Sequence, residues 1–403
     1  MSQPSFDIFI SGGGIAGLTA AAVLGQAGFS VILADPTLPP KNAKSAASDL
    51  RSTAFLQPAR DLFERAGLWS DLAPYATPLD ILRAVDTTGW PPEVRAVRDF
   101  RSDAISELPF GWNLPNWQAR LLLTQSIVAT GRVELKLGTG VADLLTRESE
   151  ALVRLSDGSS VKAKLVIGAD GRASRVRECA GISVKTVRYG QKALALAVKH
   201  ERPHENVSVE LYNTGGAFVL VPMRDHEGSP SSAVVWMDEG RRATELMSLD
   251  TDRFSEELTQ RSANVFGALE QIGGRSIWPV VTQSAQRLSS ERVILIAEAA
   301  HVLPPIGAQG LNTSLNDVAA LLHVANEHSG ALGSPEMLKA YENSRAFDLA
   351  ARTRVIDFFN RVCRSGFPPV QSLRLNGLKA VHDIAPLRSA VMQAGLGKTT
   401  SGA

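Results

Sequence analysis

The 403-residue sequence has few of the features that mark secreted, metal-binding or membrane-spanning proteins. Its two cysteines, Cys179 and Cys363, are far apart and form neither a Cys-x-x-Cys pair nor a cluster of metal ligands. Disulfide frameworks and zinc sites need closely spaced cysteines, so we expect free thiols, a reducing compartment and no bound metal. The chain leads from its first residues directly into an apolar segment, so no signal peptide is expected.

Long apolar runs and a strong charge imbalance are also missing. Without a run of about 18 apolar residues, no membrane-spanning helix is expected. A formal net charge of +1 argues against a dedicated nucleic-acid-binding protein, which would normally be basic. The hydrophobic content of 44% and the charged content of 21% are typical of a soluble enzyme. These observations together predict a cytoplasmic protein of two packed domains, or of one domain with a large insertion.

The first forty residues carry the strongest local pattern. Residues 6–10 are rich in apolar side chains and predict a buried strand, residues 19–27 predict a helix, and residues 31–34 predict a second strand. Between the first strand and the helix lies Gly-x-Gly-x-x-Gly. Asp35 follows the second strand, where its carboxylate can accept hydrogen bonds from the hydroxyl groups of an adenosine ribose. The sequence therefore predicts a βαβ dinucleotide site.

Each glycine of this motif has its own physical reason. Gly12 permits the tight turn after the strand, Gly14 lets a diphosphate approach the backbone, and Gly17 lets helix and strand pack closely. The diphosphate would lie on the free amide groups at the positive end of the helix, near Ile15 and Ala16. A tight strand–helix turn without a ligand is the alternative, and the motif alone does not distinguish FAD from NAD.

Later segments predict two sheets and a helical end. Short strands within residues 133–167 should return to the first sheet. From about residue 185 to 287 the pattern predicts an antiparallel sheet, interrupted by a helix from about Thr251 to Ile272 and followed by a strand from Ile277 to Leu288. Residues 292–297 predict a buried strand that rejoins the first sheet. The chain after Gly310 is mostly helical in pattern.

Two further motifs bear on the cofactor. In the first, a strand ends at Asp170-Gly171 and a short basic helix follows. In the second, the strand 292–297 is followed by Glu298, by a loop rich in proline and glycine, and by a helix that starts near Gly310. The free amide groups of Leu311 and Asn312 would point from that helix end towards an anion or a carbonyl group.

With these motifs the chain resembles the class A flavoprotein aromatic hydroxylases, typified by para-hydroxybenzoate hydroxylase. Within them it is most similar to the ubiquinone-biosynthesis hydroxylases. The resemblance covers essentially the whole chain, with the three motifs in family order and at family spacing. Three segments near the C terminus, residues 375–378, 385–388 and 395–397, resemble the ubiquinone branch more than the wider superfamily.

The resemblance implies an α/β fold with an FAD-binding Rossmann-type domain, an inserted antiparallel β-sheet domain for the substrate, and a C-terminal helical region. The FAD-binding domain would be discontinuous, and the expected bounds are 1–75, 116–184 and 289–345 for this domain, 76–115 and 185–288 for the substrate domain, and 346–403 for the helical region.

The resemblance also implies roles for individual residues. The glycine turn and Asp35 would hold the diphosphate and the adenosine ribose, Arg51 would reach the diphosphate or ribityl region, and Asn116 would lie near the ribityl chain. A backbone group of Val141 would meet the adenine. Asp170 and Gly171 match a motif linked to both FAD and NAD(P)H, and Glu298 takes the place of an acid that binds ribityl hydroxyl groups. The isoalloxazine ring would be lined by Pro305, Gly307, Gly310, Leu311 and Asn312.

Two positions depart from the family pattern. Ala297-Glu298 stands where the family usually has Gly-Asp, and Ala308 stands where glycine is common. The longer Glu298 side chain must fold back or its backbone must retreat if the carboxylate is to reach the same ribityl hydroxyl groups.

The implied reaction uses NAD(P)H to reduce FAD, and O2 to hydroxylate an aromatic ring, here a polyprenylated phenol of ubiquinone biosynthesis. Two alternatives stay open: the same chemistry on a small soluble aromatic or secondary metabolite, and an FAD reductase or scaffold of a quinone-synthesis complex that does not oxygenate. No catalytic acid or base is assigned. His301 could deprotonate the substrate, but a structural histidine that caps the loop is favoured. Trp236 and Trp278 could line the substrate cavity or pack in the core.

The C-terminal segment from Arg345 to Lys398 has a local excess of six positive charges, with Phe358, Phe359 and Phe367 among its apolar residues. Such a segment could rest on an anionic membrane, as a peripheral contact at the inner membrane, or on a partner of a quinone-synthesis complex. A solvated helix face over a packed core is the alternative, and it is slightly favoured.

Overall fold

The structure is a computed structural model that describes residues 4–45, 48–49 and 51–397. The strands in chain order are β1 (Ser5–Ser11), β2 (Val31–Asp35), β3 (Ser52–Leu56), β4 (Thr77–Leu79), β5 (Ile81–Thr88), β6 (Glu93–Arg101), β7 (Gly111–Pro115), β8 (Val133–Leu137), β9 (Val141–Thr146), β10 (Ala151–Leu155), β11 (Ser160–Gly168), β12 (Val184–His200), β13 (Val207–Asn213), β14 (Gly216–His226), β15 (Ser229–Glu239), β16 (Leu269–Ala285), β17 (Ser289–Ser290), β18 (Val293–Leu295) and β19 (His301–Val302). The α-helices are α1 (Ile15–Gln26), α2 (Gln57–Arg65), α3 (Trp69–Leu72), α4 (Asn116–Thr130), α5 (Arg175–Cys179), α6 (Gly240–Ser248), α7 (Thr251–Arg261), α8 (Gln309–Glu327), α9 (Pro335–Arg364), α10 (Pro368–Asp383) and α11 (Ala385–Leu396).

The first sheet has β1 at its centre, with strand order β17-β18-β11-β1-β2-β8 and with β10 and β9 added beside β11. β1 pairs in parallel with β2 and with β11, so that Ile8 is opposite both Val31 and Leu165. Residues Ile8, Phe9 and Ile10 are fully buried because helices or strands cover both faces. The predicted βαβ unit is confirmed, as is the return of residues 133–167 and of the strand near residue 293 to this sheet.

The second sheet has the order β19-β16-β12-β15-β14-β13-β5-β6. Neighbouring strands in this sheet are antiparallel, as predicted, with one exception. Strands β13 and β5 are parallel, with Val207 opposite Ile81. β5 and β6 come from the segment 76–115 and β19 comes from the loop after β18, so three distant parts of the chain complete this sheet. A smaller sheet, β3-β7-β4, completes the strand pairing.

The predicted helix from Thr251 to Ile272 is wrong in its second half. Helix α7 ends at Arg261, and the next turn places Ala263 and Asn264 at φ values of 51° and 57°, which an α-helix cannot continue. β16 already begins at Leu269, so the predicted strand from Ile277 to Leu288 is only the second part of a 17-residue strand. Pairing along β12 extends this strand, and local sequence does not contain that information.

The chain after residue 309 is helical, as predicted, and α8 packs against α1 in the largest buried core. In the three ranges described above, no helix is long and apolar enough to cross a membrane. Lys398, part of the predicted basic segment, lies outside the described residues. The predicted division into domains remains a prediction.

Candidate functional site

A cavity of about 1290 Å³ lies between the first sheet, the second sheet and the C-terminal helices. Its wall starts at the carboxyl ends of β1, β2 and β11, where Gly14, Asp35 and Ala169 line it, and it continues along β13 and β16 of the second sheet. Helices α8 to α11 line the remaining side. Cavities that hold one small molecule commonly measure about 300–1000 Å³, so this cavity has room for more than one ligand.

The three glycines of the turn at the start of the cavity differ in how much space surrounds them. Gly12 has a φ of 112°, and a Cβ atom there would overlap the backbone of Ala169. A Cβ atom on Gly17 would overlap the carbonyl oxygen of Gly12, so both glycines are needed for the fold. A Cβ atom on Gly14, by contrast, would meet no protein atom within 4 Å. The space above Gly14 is part of the cavity.

The N-terminus of α1 opens into this space. Gly14 is the N-cap residue and accepts the first intrahelical hydrogen bond, from the amide of Leu18. The amide groups of Ile15, Ala16 and Gly17 have no intrahelical acceptor, as in the first turn of any α-helix, and all three residues line the cavity. No acidic side chain occupies the first turn of α1. Free amides and the positive helix end make this turn suited to an anionic group.

Asp35 lies beside the glycine turn at the end of β2. Its Oδ2 accepts a hydrogen bond from the Gly13 amide at 2.6 Å, and its Oδ1 accepts hydrogen bonds from the amide and the hydroxyl group of Thr37. The carboxylate thus holds the turn as well as lining the cavity. Its predicted contact with a ribose remains a prediction.

Arg120 on α4 was not predicted from the sequence. Its guanidinium donates to the carbonyl oxygen of Gly13 at 2.7 Å, to Asp35 Oδ1 at 3.1 Å and to Thr37, and it lines the cavity. It lies one helical turn after Asn116, which was predicted at the cofactor, and residues four apart share a helix face. That spacing was the signal that could have found Arg120.

A polar network occupies the next part of the cavity. Arg51 donates a pair of hydrogen bonds to Asp49, at 2.8 Å, and its guanidinium is 3.8 Å from Glu298. Asn116 donates from its side-chain amide to Asp49 at 2.9 Å and accepts from the Thr53 hydroxyl group at 2.8 Å. Burial opposes the ionisation of Asp49, but the hydrogen bonds and charge of Arg51 outweigh it and lower the pKa of this carboxyl.

This network unites three predicted residues, Arg51, Asn116 and Glu298, and adds Asp49, which the sequence reasoning missed. The side chain of Glu298 is half exposed. The side chain of Arg51 also lies over the ring of Trp278, 5.5 Å from its centroid. Trp278 lines the cavity, whereas Trp236 is fully buried and packs against Phe218 and Phe254 in the core of the second sheet.

Asp170 and Gly171 lie behind the glycine turn, at the end of β11. Oδ2 of Asp170 accepts hydrogen bonds from the Val176 amide at 3.0 Å and from the Ser11 hydroxyl group at 3.3 Å. Oδ1 is buried without a partner among the described residues. Gly171 has a φ of 80° and lines the cavity. Asp170 itself is not among the residues that line the cavity.

The segment from Ala297 to α8 contains two alanines in a conformation that favours glycine, one before β19 and one in the loop after it. Ala297 and Ala308 have φ values of 56° and 55°. Both are the positions where the family pattern has glycine, so an L-residue here carries a cost of about 1–2 kcal/mol. Pro305, Gly307, Gly310 and Leu311 line the cavity, together with Ala308 and Gln309.

The start of α8 differs by about one residue from expectation. The helix begins at Gln309 with Ala308 as N-cap, so the amides without an intrahelical acceptor belong to residues 308–311. Asn312 instead fastens the helix to β3, because its side chain donates to the Ala54 carbonyl and accepts from the Leu56 amide. Neither Asn312 nor Val141 lines the cavity. Val141 starts β9 and packs beside a buried core.

His301 is tied into a buried charge network. Its Nε2–H donates to Oδ2 of Asp317 at 2.6 Å, and Oδ1 of Asp317 accepts from Arg345 at 2.7 Å. The same carboxylate accepts the amide of Ala297 at 2.9 Å and so fixes the start of the loop. Burial alone would raise the pKa of Asp317, but the charges and hydrogen bonds of His301 and Arg345 lower it. These contacts favour the structural role for His301.

Comparisons with known proteins agree with this geometry. A family model described as FAD binding domain matches residues 5–355. The chain is 32% identical over 397 residues to the ubiquinone hydroxylase UbiL of Rhodospirillum rubrum, a match that covers 97% of this chain and 89% of that protein. It is 26% identical over 400 residues to the 3-demethoxyubiquinol 3-hydroxylase of Escherichia coli, with 98% and 99% covered.

Solved structures share the fold at lower identity. The p-nitrophenol 4-monooxygenase PnpA of Pseudomonas putida superposes with a TM-score of 0.79 at 17% identity and covers 98% of both chains. The Diels-Alderase PyrE3 of pyrroindomycin biosynthesis superposes with a TM-score of 0.77 at 21% identity, over 98% of this chain and 81% of that one. These similarities concern the fold alone.

Proposed function

The chain belongs to the FAD binding domain family, and on that premise we propose that it is an FAD-dependent monooxygenase that uses NAD(P)H and O2 to hydroxylate the ring of a polyprenylated phenol in ubiquinone biosynthesis. One observation carries the proposal beyond the family match. A single cavity joins the glycine turn, which suits a diphosphate, to an apolar wall that suits a ring with a long hydrocarbon chain. The names of the relatives agree with this substrate class.

The residues at the glycine turn fit the FAD diphosphate and adenosine ribose. Gly14 leaves open space over three free amide groups at the positive end of α1, which suits a diphosphate. Arg51, Asn116 and Glu298 stand further along the same cavity, as contacts to a ribityl chain require. Val141 and Asn312 would act through backbone groups or as supports.

When bound and reduced by NAD(P)H, FAD activates O2 for transfer of one oxygen atom to an electron-rich ring. The chain itself must bind, orient and shield. Residues 303–308 form the loop before α8, here called the Pro305 loop. Free amides at residues 310–311 would favour negative charge beside this loop, because the helix end carries a partial positive charge. Trp278 and the valines of β14 and β15 line the cavity and exclude water from the ring.

The C-terminal helices support a lipidic substrate. Phe359 and Leu378, together with Val362 and Val381, line the cavity from α9 and α10, and Met392 and Leu396 line it from α11. Phe358, Leu373 and Val391 line it as well, although 63%, 58% and 43% of their surfaces are exposed. The cavity therefore opens to solvent between these helices, at an edge formed by apolar side chains. A polyprenyl chain needs such an exit.

We also propose a peripheral membrane contact at this opening. Phe347, Val355 and Phe367 are also exposed on or beside these helices, at 85%, 66% and 63%. Together with the positive charge of the segment, exposed aromatic and aliphatic side chains favour an anionic bilayer surface. A flotation assay with vesicles of phosphatidylglycerol and phosphatidylethanolamine tests it: Phe358→Ser combined with Phe367→Ser should reduce the bound fraction, and equal flotation would contradict the contact.

The substrate is tested in cells. Deleting the gene in the source organism should lower the ubiquinone content and accumulate a prenylated phenol that lacks one hydroxyl group, both measured by mass spectrometry. Wild-type protein expressed from a plasmid should restore the quinone. Normal quinone levels without an accumulated precursor would refute this substrate and favour a small soluble aromatic compound.

Oxygenation is tested with purified holoprotein. Incubation with NADH or NADPH, isotopically labelled O2 and a prenylated phenol should give a product that contains one labelled oxygen atom per turnover. Oxidation of the nicotinamide without labelled product would instead indicate a reductase, and no oxidation would indicate a scaffold.

A further inference from the structure

The wall of the cavity contains an ionisable side chain among small and apolar neighbours on β13 and the strands beside it. Glu210 lies in the middle of β13, on the face of the second sheet that lines the cavity. Its register partners on the two neighbouring strands are Ala84 and Val219, and both also line the cavity. A carboxyl group therefore stands within a row of small and apolar side chains. Burial of a carboxyl group in such a row is costly and needs a reason.

The two oxygen atoms of Glu210 differ in their surroundings. The Tyr212 hydroxyl group donates a hydrogen bond to Oε2, and the Tyr212 ring packs edge-on against Phe359 with 5.5 Å between centroids. In the part of the chain that the structure describes, Oε1 receives no hydrogen bond, and Glu210 has no salt-bridge partner. One oxygen is held by the protein, and the other is free to meet a ligand.

The charged and titratable groups around this pair come from three elements. Asp86 lies on β5, Cys363 on α9 and Arg374 on α10. The guanidinium of Arg374 donates to Asp86 at 2.5 Å and to two backbone carbonyl groups, and Asp86 also pairs with Arg95 of β6. Burial raises the pKa of Glu210, and the hydrogen bond from Tyr212 opposes this in part. Burial also raises the pKa of Tyr212 well above its usual value, so its hydroxyl group stays a donor.

The Pro305 loop packs close to the strands that surround Glu210. Ile306 in the Pro305 loop belongs to the same buried cluster as Tyr212 and Val219. A ring placed between the Pro305 loop and the second sheet would therefore lie in the part of the cavity that β13 and β14 line. A phenolic hydroxyl group on that ring would find Glu210 as an acceptor in an otherwise apolar wall.

Resting on the proposed function, we propose that Glu210 is the general base that removes the proton from the phenolic hydroxyl group of the substrate, and that Tyr212 is a positioning residue that holds it. The O–H bond of the substrate breaks, an O–H bond forms on Oε1, and the electron pair remains on the phenolate oxygen. The ring becomes richer in electrons, which favours oxygen transfer to it. The proton afterwards returns to the phenolate oxygen of the hydroxylated product.

Burial suits this role. A general base works best when its pKa lies near the working pH, and a solvent-exposed glutamate, with a pKa of about 4.3, is too weak a base for a phenol. An apolar wall makes the carboxylate a stronger base, while the hydrogen bond from Tyr212 keeps it ionisable. His301, the other candidate, has its Nε2 engaged with Asp317.

The first test observes the proton directly. The probe is 2-geranyl-4-nitrophenol, whose ionised form absorbs visible light. Holoprotein is mixed with the probe at pH values below the pKa of the free probe, and the spectrum of the bound probe is recorded. We expect a phenolate band with the wild type and its loss with Glu210→Gln. Glu270→Gln is the matched control, because Glu270 is an exposed glutamate of the same sheet, paired with Lys199 outside the cavity, and should keep the band.

The second test follows turnover against pH. Glu210→Gln should lower kcat/KM by roughly 10²- to 10⁴-fold, the usual contribution of a general base. The loss should shrink above the pKa of the substrate, where the phenol ionises in solution. Tyr212→Phe removes a hydrogen bond that lowers the pKa of Glu210. The acid limb of the pH profile of kcat/KM for this variant should therefore move to higher pH. A merely structural role for Tyr212 would lower the rate without moving that limb.

The outcomes separate this inference from the function on which it rests. If Glu210→Gln binds the probe with the wild-type ionised fraction at every pH, Glu210 is not the base, even where the quinone assay supports the substrate. If the phenolate band depends on Glu210 but no labelled oxygen enters a product, the base stands and the monooxygenase reaction fails. Should Glu210→Gln not fold, Glu210→Leu removes the carboxyl from the same apolar wall and is judged by the same spectrum.

Discussion

Replacing Gly14 with alanine should separate cofactor binding from folding. A Cβ atom at this position would meet no protein atom within 4 Å, and the backbone, with φ at −75° and ψ at 175°, is accessible to alanine. Alanine reduces the entropy of the unfolded chain, which stabilises by about 0.4–1 kcal/mol, whereas it is a poorer N-cap than glycine by roughly 1 kcal/mol. The free energy of unfolding of the apoprotein should therefore change by less than about 1 kcal/mol.

The affinity for FAD should fall much further. The new methyl group would occupy the space in which the diphosphate approaches the amides of Ile15 and Ala16. Losing one hydrogen bond to a charged group costs about 1.5–3 kcal/mol, which is roughly a 10- to 150-fold increase in Kd. Titration of apoprotein with FAD, followed by flavin fluorescence, measures the Kd, and denaturation by urea measures the stability of the same samples.

Two matched variants make the result decisive. Gly330→Ala adds a methyl group at another exposed glycine with open space around it, outside the cavity, and should change neither quantity. Gly17→Ala would force its Cβ against the carbonyl oxygen of Gly12, so it should lower the stability by about 1–3 kcal/mol. Wild-type FAD affinity in Gly14→Ala would refute the placement of the diphosphate.

Arg120→Met should lower the free energy of unfolding by about 1.5–3 kcal/mol, measured by urea denaturation, since charged hydrogen bonds to the glycine turn and Asp35 are lost; an unchanged value would contradict its anchoring role. Asp317→Asn should lower the free energy of unfolding by about 3–5 kcal/mol at pH 7, because Arg345 loses a buried partner. Since the pKa of Asp317 is lowered in the folded protein, its stabilisation is present above pH 4 and disappears as the pH falls below it. The free energies of unfolding of the variant and the wild type should therefore converge in acid. Ala308→Gly should raise the melting temperature slightly, by relieving about 1 kcal/mol of left-handed strain, and a lower melting temperature would argue against that strain.

Local patterns predicted the βαβ unit at the start of the chain well. The turn from Gly12 to Gly17, the position of Asp35 and the strand before Glu298 depend on residues close together in sequence, and glycine has few substitutes there. The family resemblance added the segment from Ala297 to Ala308, and the structure explains why alanine at its two ends is unusual.

The second sheet and the helices packed against it depended on contacts that no local pattern contains. Glu210 looks like an ordinary polar residue in an alternating strand, and only the pairing of β13 with β5 and β14 shows that its face is the buried one. The helix predicted to Ile272 failed for the same reason, because β12 pairs with residues that have helical character locally. Arg345 and Asp317 meet across two helices, and neither motif marks them.

The span of the cavity wall along the chain has a consequence for how the protein is made. Its wall runs from Gly14, near one end, to Leu396, near the other. At a synthesis rate of about 5–20 residues per second, roughly 20–80 s separate the appearance of these two residues from the ribosome. Until α9 to α11 emerge, the nascent chain lacks one wall of this cavity, so a flavin captured early would remain open to water. Full loading would then be a late event, and the supply of free FAD after synthesis, rather than during it, would limit how much of the protein becomes active.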